Sequence, residues 1–232
     1  MIQAKNTVVT IDGPAGTGKS TVAKKLAGYL GWYYHNTGAI YRALTGAMLD
    51  RGWIDSTTCS FPANREESLH LLTIKIIPGA TTLYFVEGHD VSHWVKDPSI
   101  SLLVSRVSSW KPIREKLLEI QRQLLELGPA VFEGRDMGTT VFPNADLKFF
   151  LIASAQERAK RRLLELQQAG KEASFDEVLL DIEKRDLQDS TREISPLRQP
   201  KDAYVVDTTL LSVEEVATRL YKICRDRLAL EL

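Results

Sequence analysis

Between Gly13 and Ser20 the chain reads Gly-Pro-Ala-Gly-Thr-Gly-Lys-Ser, a complete match to G-x-x-x-x-G-K-[ST]. The residues before it, TVVTID (Thr7–Asp12), are largely β-branched and apolar and stop at glycine, the pattern of a strand buried in a parallel sheet. The residues after it, KSTVAKKLAGYLG, place Val22, Leu26, Tyr29 and Leu30 at helical spacing and end at Gly31, a suitable C-cap. A strand, a glycine loop and a helix in this order curl backbone N–H groups around phosphate oxygens and add the positive end of the helix. At ordinary residue frequencies the motif is expected about 0.01 times by chance in a chain of this length. A dinucleotide fingerprint is disfavoured, because Thr21 and not glycine stands three residues after Gly18. The motif therefore predicts a nucleoside-triphosphate site made by Gly13, Pro14, Ala15, Gly16, Thr17, Gly18, Lys19, Ser20 and Thr21. Lys19 is expected to reach the β- and γ-phosphates, and the Ser20 hydroxyl to ligate Mg²⁺.

Further along, Trp32–His35 reads as a second strand, Gly38–Arg51 as a helix and residues 53–64 as a loop. From Leu71 to Val95 the pattern changes: LTIKII, the turn PGAT, TLYFVEG and HDVSHWV read as short, antiparallel strands inserted into an alternating α/β chain. Helical patterns resume over Pro98–Ser108 and Pro112–Leu127. AVFEG (Ala130–Gly134), LKFFLIA (Leu147–Ala153) and AYVVD (Ala203–Asp207) are further strands. Ser154/Glu157, Ser174/Glu177 and Ser212/Glu215 have the spacing of capping boxes at helix starts. Five buried strands separated by helices make a doubly wound α/β sheet.

Bulk properties narrow the function. Hydrophobic residues make up 44% and charged residues 26%, with 30 basic against 30 acidic residues, so the chain is an ordinary globular protein without the basic surplus that nucleic-acid backbone requires. Cys59 and Cys224 lack metal-ligand spacing and are read as inert thiols. The four histidines form no HExxH, and the four tryptophans no basic–aromatic stripe; all are read as packing or surface residues. No apolar run has the length of a membrane span, and MIQAKNTVVTIDG enters a strand without a signal-peptide pattern, which points to a cytoplasmic protein.

A phosphate loop alone leaves switches, motors, ATPases and kinases open. No later strand ends in the apolar-run-plus-Asp pattern of a convincing Walker B; AVFEG ends in Glu133, with the next Asp offset. Arginines instead cluster between strands and helices: Arg42, Arg114, Arg135, Arg158, Arg161, Arg162, Arg185 and Arg192. Transfer between two nucleotides brings many negative charges together, and the planar guanidinium binds phosphate bidentately while staying charged. These features predict a nucleoside monophosphate kinase. An ATP-dependent regulatory switch is the alternative from another class.

The segments IDGPAGTGKST, NTGAIYRA, GHDVS, VSRVSSWKPIRE, FEGRDMGTTVFPNADLKFFL, ERAKRR, EKRDLQDSTR and AYVVDTT resemble, in order, the signatures of the bacterial-type cytidylate kinase family. GRDMGTTVFP and TGAIYR are the most specific of these. The resemblance implies an α/β, three-layer P-loop kinase fold with a five-stranded parallel sheet, a small β-containing NMP-binding insert and a helical LID. By residue, it implies a CORE at about 1–36, 98–157 and 194–232, an NMP-binding part at 37–97 and a LID at 158–193. It implies that ATP and CMP or dCMP are the substrates, with Mg²⁺, and that the protein is a monomer acting without nucleic acid or membrane. It surrounds CMP with Thr37, Arg42, Ser105, Arg114, Arg135, Asp136, Arg185, Asp189 and Arg192. It assigns catalysis to Lys19, Arg158, Arg162, Arg135 and Arg192.

Within that implied set a division of labour follows from chemistry. Asp136 suits the cytosine amino group, Arg114 suits N3 and O2, and Ser105 is a small hydroxyl partner. Asp189 and Arg185 suit the ribose, and Arg42, Arg135 and Arg192 the α-phosphate. Kinases for UMP or dTMP remain the alternatives within the class. Two positions depart from the family's common pattern, Asn36 and Asn144, each where Asp is usual; at Asn36 this puts a charge-dependent contact in question.

Overall fold

The computed structural model describes residues 6–55, 57 and 60–229; Cys59 lies outside these. By internal contacts the chain divides into two compact units, Met1–Tyr34 with Gly128–Leu232, and His35–Leu127.

A five-stranded parallel sheet in the order β2-β6-β1-β7-β8 is built from the strands of the first unit, β2 running on by two residues past its boundary at Tyr34. Its strands are β1 (Val8–Asp12), β2 (Tyr33–Asn36), β6 (Ala130–Glu133), β7 (Leu147–Ile152) and β8 (Tyr204–Asp207). β1 is central and pairs with β6 through Val8↔Ala130 to Ile11↔Glu133, and with β7 through Val9↔Leu147 to Asp12↔Phe150. All five residues of β1 are buried, as its apolar β-branched run requires. Against the sheet lie α1 (Lys19–Leu30) and α8 (Val213–Arg227), and the core between them includes Val9, Ile11, Leu26, Val131, Phe149, Leu151, Val216 and Leu220. α1 stops at Gly31, which has φ 68°; Trp32 N–H donates to the Ala27 carbonyl at 3.0 Å, so an orphan carbonyl of the last turn is satisfied.

Two further helices, α6 (Ala155–Gln168) and α7 (Phe175–Thr191), pack on one another around Ala159, Val178 and Ile182. Ser174 and Ser212 form complete capping boxes at the starts of α7 and α8. At α6 only half of the expected box is present. Ser154 accepts the Glu157 N–H, but the Glu157 carboxylate turns to Arg161 (3.3 Å) and Lys160 (3.9 Å). Two cations one turn away outcompete a single backbone donor for that carboxylate.

The second unit holds α2 (Thr37–Asp50), α3 (Glu66–Leu71), α4 (Ser101–Val107), α5 (Lys111–Gln123) and a three-stranded sheet of β3 (Ile74–Ile77), β4 (Leu83–Val86) and β5 (His89–Asp90). The β-rich insert is there, and β3–β4 pair antiparallel from Ile74↔Val86 to Ile77↔Leu83. Its third segment is shorter than HDVSHWV led one to expect. Only His89–Asp90 is strand, and Ser92–Lys96 is a 3₁₀ turn. Asp90 accepts the Ser92 N–H at 2.8 Å while Ser92 Oγ accepts the Tyr84 N–H at 2.9 Å, and these local bonds replace the ladder. The 3₁₀ turn brings Trp94 onto α2 at Gly46, where a Cβ would stand 2.0 Å from the indole Cγ; Trp94 Nε1 donates to Asp50 Oδ2 at 2.9 Å. α3, six residues long, is too short for a helical periodicity to register in the sequence.

Candidate nucleotide site

The loop between β1 and α1 needs its glycines for two separate reasons. Gly13 has φ 146°, and a Cβ there would fall 2.1 Å from the Leu151 carbonyl oxygen of the neighbouring strand. Gly16 has φ 78° and is covered by Arg158, whose Cβ would be 3.0 Å from an added one. α1 then starts at Lys19 with no acidic residue in its first turn, so nothing on the helix itself neutralises the positive end that faces the loop.

Lys19 is buried, its Nζ donating to the Pro14 carbonyl at 2.6 Å and to Thr17 Oγ1 at 3.5 Å. Burial, with Arg135 and Arg185 repelling it, holds its ammonium well below the ordinary lysine range, against the attraction of Glu133 and Asp12. Thr17 Oγ1 donates to the same Pro14 carbonyl at 3.1 Å, so the loop is cross-linked to itself. Of the remaining motif residues, Ser20 and Thr21 lie exposed at the start of α1.

Ser20 Oγ donates to Glu133 Oε1 at 2.6 Å, and Tyr34 Oη to the same oxygen at 3.3 Å. Glu133 ends β6, the strand beside β1, and is buried. The acid that the sequence pattern left without a counterpart is thus present: it is a glutamate at the end of AVFE, 113 residues from the serine it meets.

Arg158, at the first turn of α6, is buried and fully engaged. Nε donates to Ala153 O (3.1 Å), Nη1 to Ala15 O (3.1 Å), and Nη2 pairs with Asp186 of α7 (2.6 Å). Arg162 points elsewhere and pairs with Glu165 at 2.8 Å on the exposed side of α6. Arg161 instead donates to Thr208 Oγ1 (3.2 Å) and Thr208 O (2.6 Å); Thr208 Oγ1 in turn reaches Thr17 O at 3.2 Å. Neither Thr208 nor this use of Arg161 is visible from spacing, since both depend on the end of β8 meeting the phosphate loop.

After β6 the chain makes a single π-helical turn, Met137–Val141. Such turns inside proteins concentrate at functional positions. Arg135 Nε donates to Asp189 Oδ2 at 2.9 Å, and Arg192 Nη2 lies 3.6 Å from Asp136 Oδ1 while its Nε donates to Ser195 O. Burial raises the Asp189 carboxyl, but Arg135, Arg185 and Arg192 outweigh it and hold the group below the usual carboxylate range. Arg135, Asp136, Arg185, Asp189, Arg192 and Lys19 therefore belong to one charged cluster in the first unit.

The other expected acceptor residues lie in the second unit. Thr37 opens α2 and is buried; Arg42 Nη1 donates to Asp97 O at 3.0 Å. Arg114 Nη1 donates to Ser108 O at 2.9 Å, with its guanidinium 5.7 Å from the centre of the Tyr41 ring. Ser105 is half-buried on α4. Asn36 caps α2, its Oδ1 accepting the Ala39 N–H at 2.9 Å, a task that Asn performs as well as Asp.

Comparison with known proteins adds an independent line. A family model described as cytidylate kinase matches residues 9–226. A cytidylate kinase of Protochlamydia amoebophila is 47% identical over 220 residues, 93% of this chain and 94% of its own length. Those of Carboxydothermus hydrogenoformans and Caldicellulosiruptor bescii are 44% and 41% identical, the first over 93% of this chain and 96% of its own, the second over 93% and 94%. Among solved structures, a gluconokinase from Sinorhizobium meliloti shares the fold at TM-score 0.50 and 13% identity, covering 97% of this chain and 95% of that one.

Proposed function

Since the chain belongs to the cytidylate kinase family, we propose that it transfers the γ-phosphoryl group of ATP to CMP or dCMP, giving ADP and CDP or dCDP. One observation of the site carries most weight: the buried Lys19 ammonium is repelled by both Arg135 and Arg185. Crowding cations costs stability unless anions sit among them, and beside the carboxylates Asp189, Asp136, Glu133 and Asp12 the N-terminal end of α1 adds positive potential with no acidic residue of its own first turn. A nucleotide polyphosphate supplies what is lacking.

Ser20 Oγ and Glu133 Oε1 are hard oxygen donors that fit Mg²⁺. Mg²⁺ takes most of its shell from phosphates and water, so one or two protein oxygens suffice. Bound there, Mg²⁺ neutralises charge on the phosphate oxygens. In the transfer, an oxygen of the CMP phosphate forms its bond to the γ-phosphorus as the bond to the β-bridging oxygen breaks, and ADP leaves. Near neutral pH the attacking phosphate needs no base. The protein's contribution is electrostatic, with loop N–H groups, Lys19, Arg135, Arg158 and Arg192 aimed at the transferring group. Arg158 would exchange its bond to the Ala15 carbonyl or to Asp186 for phosphate.

Asp136, by this proposal, accepts from the cytosine amino group, and Asp189 and Arg185 hold the ribose. Thr37, Arg42, Ser105 and Arg114 keep the acceptor roles that the family resemblance implies, as do the divisions into CORE, NMP-binding part and LID. Uracil presents a carbonyl where cytosine presents the amino group. Facing it with a buried carboxylate costs about 1–3 kcal/mol, enough for roughly tenfold or greater preference.

The test is a coupled ADP-release assay with ATP and Mg²⁺, offering CMP, dCMP, UMP, AMP and dTMP separately. Turnover confined to CMP and dCMP supports the proposal. Turnover on UMP or dTMP keeps the kinase and removes the base-reading role, and ATP hydrolysis indifferent to all five favours a switch.

A further inference from the structure

Asp136 occupies the N-cap position of the π-turn, with φ −144° and ψ 23°, yet its side chain makes no cap bond. An aspartate there would ordinarily bend back to accept one of the first N–H groups of its own turn. Those N–H groups have another acceptor. Asp12, the last residue of β1, is fully buried, and its Oδ1 accepts the Met137 N–H at 2.9 Å while Oδ2 accepts the Gly138 N–H at 2.7 Å. Both oxygens of one carboxylate are spent on two successive donors of a turn 125 residues away. The carboxylate of Asp136 is left to turn towards Arg192.

We propose that Asp12 is a positioning residue: it caps the 137–141 turn in place of Asp136, and so sets the direction in which Asp136 meets the acceptor base. Asp12 is fully buried and both of its carboxylate oxygens are taken up by the turn. Because it immediately precedes Gly13, it also ties the conformation of the phosphate loop to that of the base-reading turn. Gly138 belongs to the same construction. A Cβ there would stand 3.0 Å from Thr10 Oγ1 and 3.1 Å from Lys148 Cδ, so a side chain at 138 would push the turn away from β1 and out of reach of Asp12.

Asparagine at position 12 keeps one acceptor and replaces the other with an NH₂ that faces an N–H. With that bond lost, Asp136 becomes the nearest acceptor for its own turn and is drawn from its present direction. The role of Asp12 rests on Asp136 reading the base, and the experiment separates the two. The ratio of kcat/KM for CMP over UMP is measured at pH 8 for wild type, Asp12→Asn, Asp136→Ala and the double variant. This ratio is independent of the fraction of protein folded, so a purely structural role for Asp12 leaves it unchanged.

Asp12→Asn is expected to lower the ratio about fivefold or more, and to lower it no further in the Asp136→Ala background. An unchanged ratio in Asp12→Asn, with Asp136→Ala reduced, overturns the positioning role. An equal further loss in the double variant does the same. An unchanged ratio in Asp136→Ala removes the base-reading role itself. Should Asp12→Asn not fold, Asp12→Glu takes its place in the same four-way set, since it keeps the charge but overreaches by one methylene. Amide exchange of Met137 and Gly138 in the wild type then supplies the second check: exchange at the rate of open loop amides excludes the cap.

Discussion

Changing Glu133 to glutamine alters one buried group without changing its size, and its effect is calculable from three contacts. The Ser20 hydroxyl loses a charged acceptor 2.6 Å away and keeps a neutral one, a difference of about 1 kcal/mol between charge-assisted and neutral hydrogen bonds. Glu133 is also the largest influence that raises the Lys19 ammonium against burial and Arg135. Without it the buried Lys19 ammonium loses the stronger of its two anionic neighbours. A cation held near Ser20 loses an anionic neighbour as well. Together these amount to about 2–3 kcal/mol, or roughly a 30- to 150-fold fall in kcat/KM. The signature lies in the metal dependence, because ATP still meets the same loop N–H groups. With ATP and CMP fixed and Mg²⁺ varied, the half-saturating Mg²⁺ concentration is expected to rise several-fold, while the thermal midpoint stays within a few degrees of wild type. A folded Glu133→Gln protein with unaltered Mg²⁺ half-saturation and kcat/KM within twofold of wild type would refute the assignment of Glu133 to the metal side of the site.

Lys19→Ala removes the buried ammonium, and turnover should drop by orders of magnitude while circular dichroism remains that of the wild type; near-normal turnover would contradict its role in transfer. Gly46→Ala forces Trp94 off α2 and breaks its bond to Asp50, for an expected loss of about 1–3 kcal/mol, read as a lower denaturant midpoint at constant slope; an unmoved midpoint would mean that the indole relocates freely. Burial pushes the Asp12 carboxyl up to about 7 from 3.8, over the opposing pull of the Gly138 and Met137 N–H groups, with Asp136 raising it and Lys19 lowering it. Since the folded value lies above the unfolded one, the stability this group contributes is complete below about pH 4 and disappears as pH climbs through 7. Wild type should therefore lose stability relative to Asp12→Asn between pH 5 and pH 8 in denaturant titrations, and a constant difference would refute the raised value.

What could be read along the chain and what could not divide on a physical line. The phosphate loop, the strands β1, β6, β7 and β8, and the serine caps of α7 and α8 depend on residues within a few positions of one another, so their signals survive in one dimension. Glu133 and Asp12 act on partners 113 and 125 residues away, and nothing near them in sequence announces it. Without that partner in view, Glu133 reads as the end of an ordinary buried strand. Local competition explains the smaller departures. Asp90 and Ser92 take up N–H groups that a strand would have used, and Arg161 and Lys160 draw Glu157 away from its box. Among the arginines, type and neighbourhood marked the group but did not sort it. Arg158 and Arg162 sit one turn apart on α6, and only the first faces the loop.

The α6–α7 pair carries its own small core of Ala159, Val178 and Ile182, separate from the one beneath the sheet, while Leu164, Leu180 and Leu187 lie open to solvent. A core of three buried residues with Leu163, Leu166, Ala173, Phe175 and Leu179 packed partly buried around it predicts a foldon of lower opening free energy than the sheet. In native-state hydrogen exchange their amides are expected to swap through a sub-global event with a shallow denaturant slope, whereas amides of β1 and β7 wait for the whole molecule to unfold. The Arg158–Asp186 bond is a staple across that foldon, and on the role proposed for Arg158 a polyphosphate that recruited its Nη2 would remove it. On that proposal nucleotide occupancy and the protection of α7 would be thermodynamically linked: the ligand that engages the phosphate loop would also change how often the helix beside it comes loose.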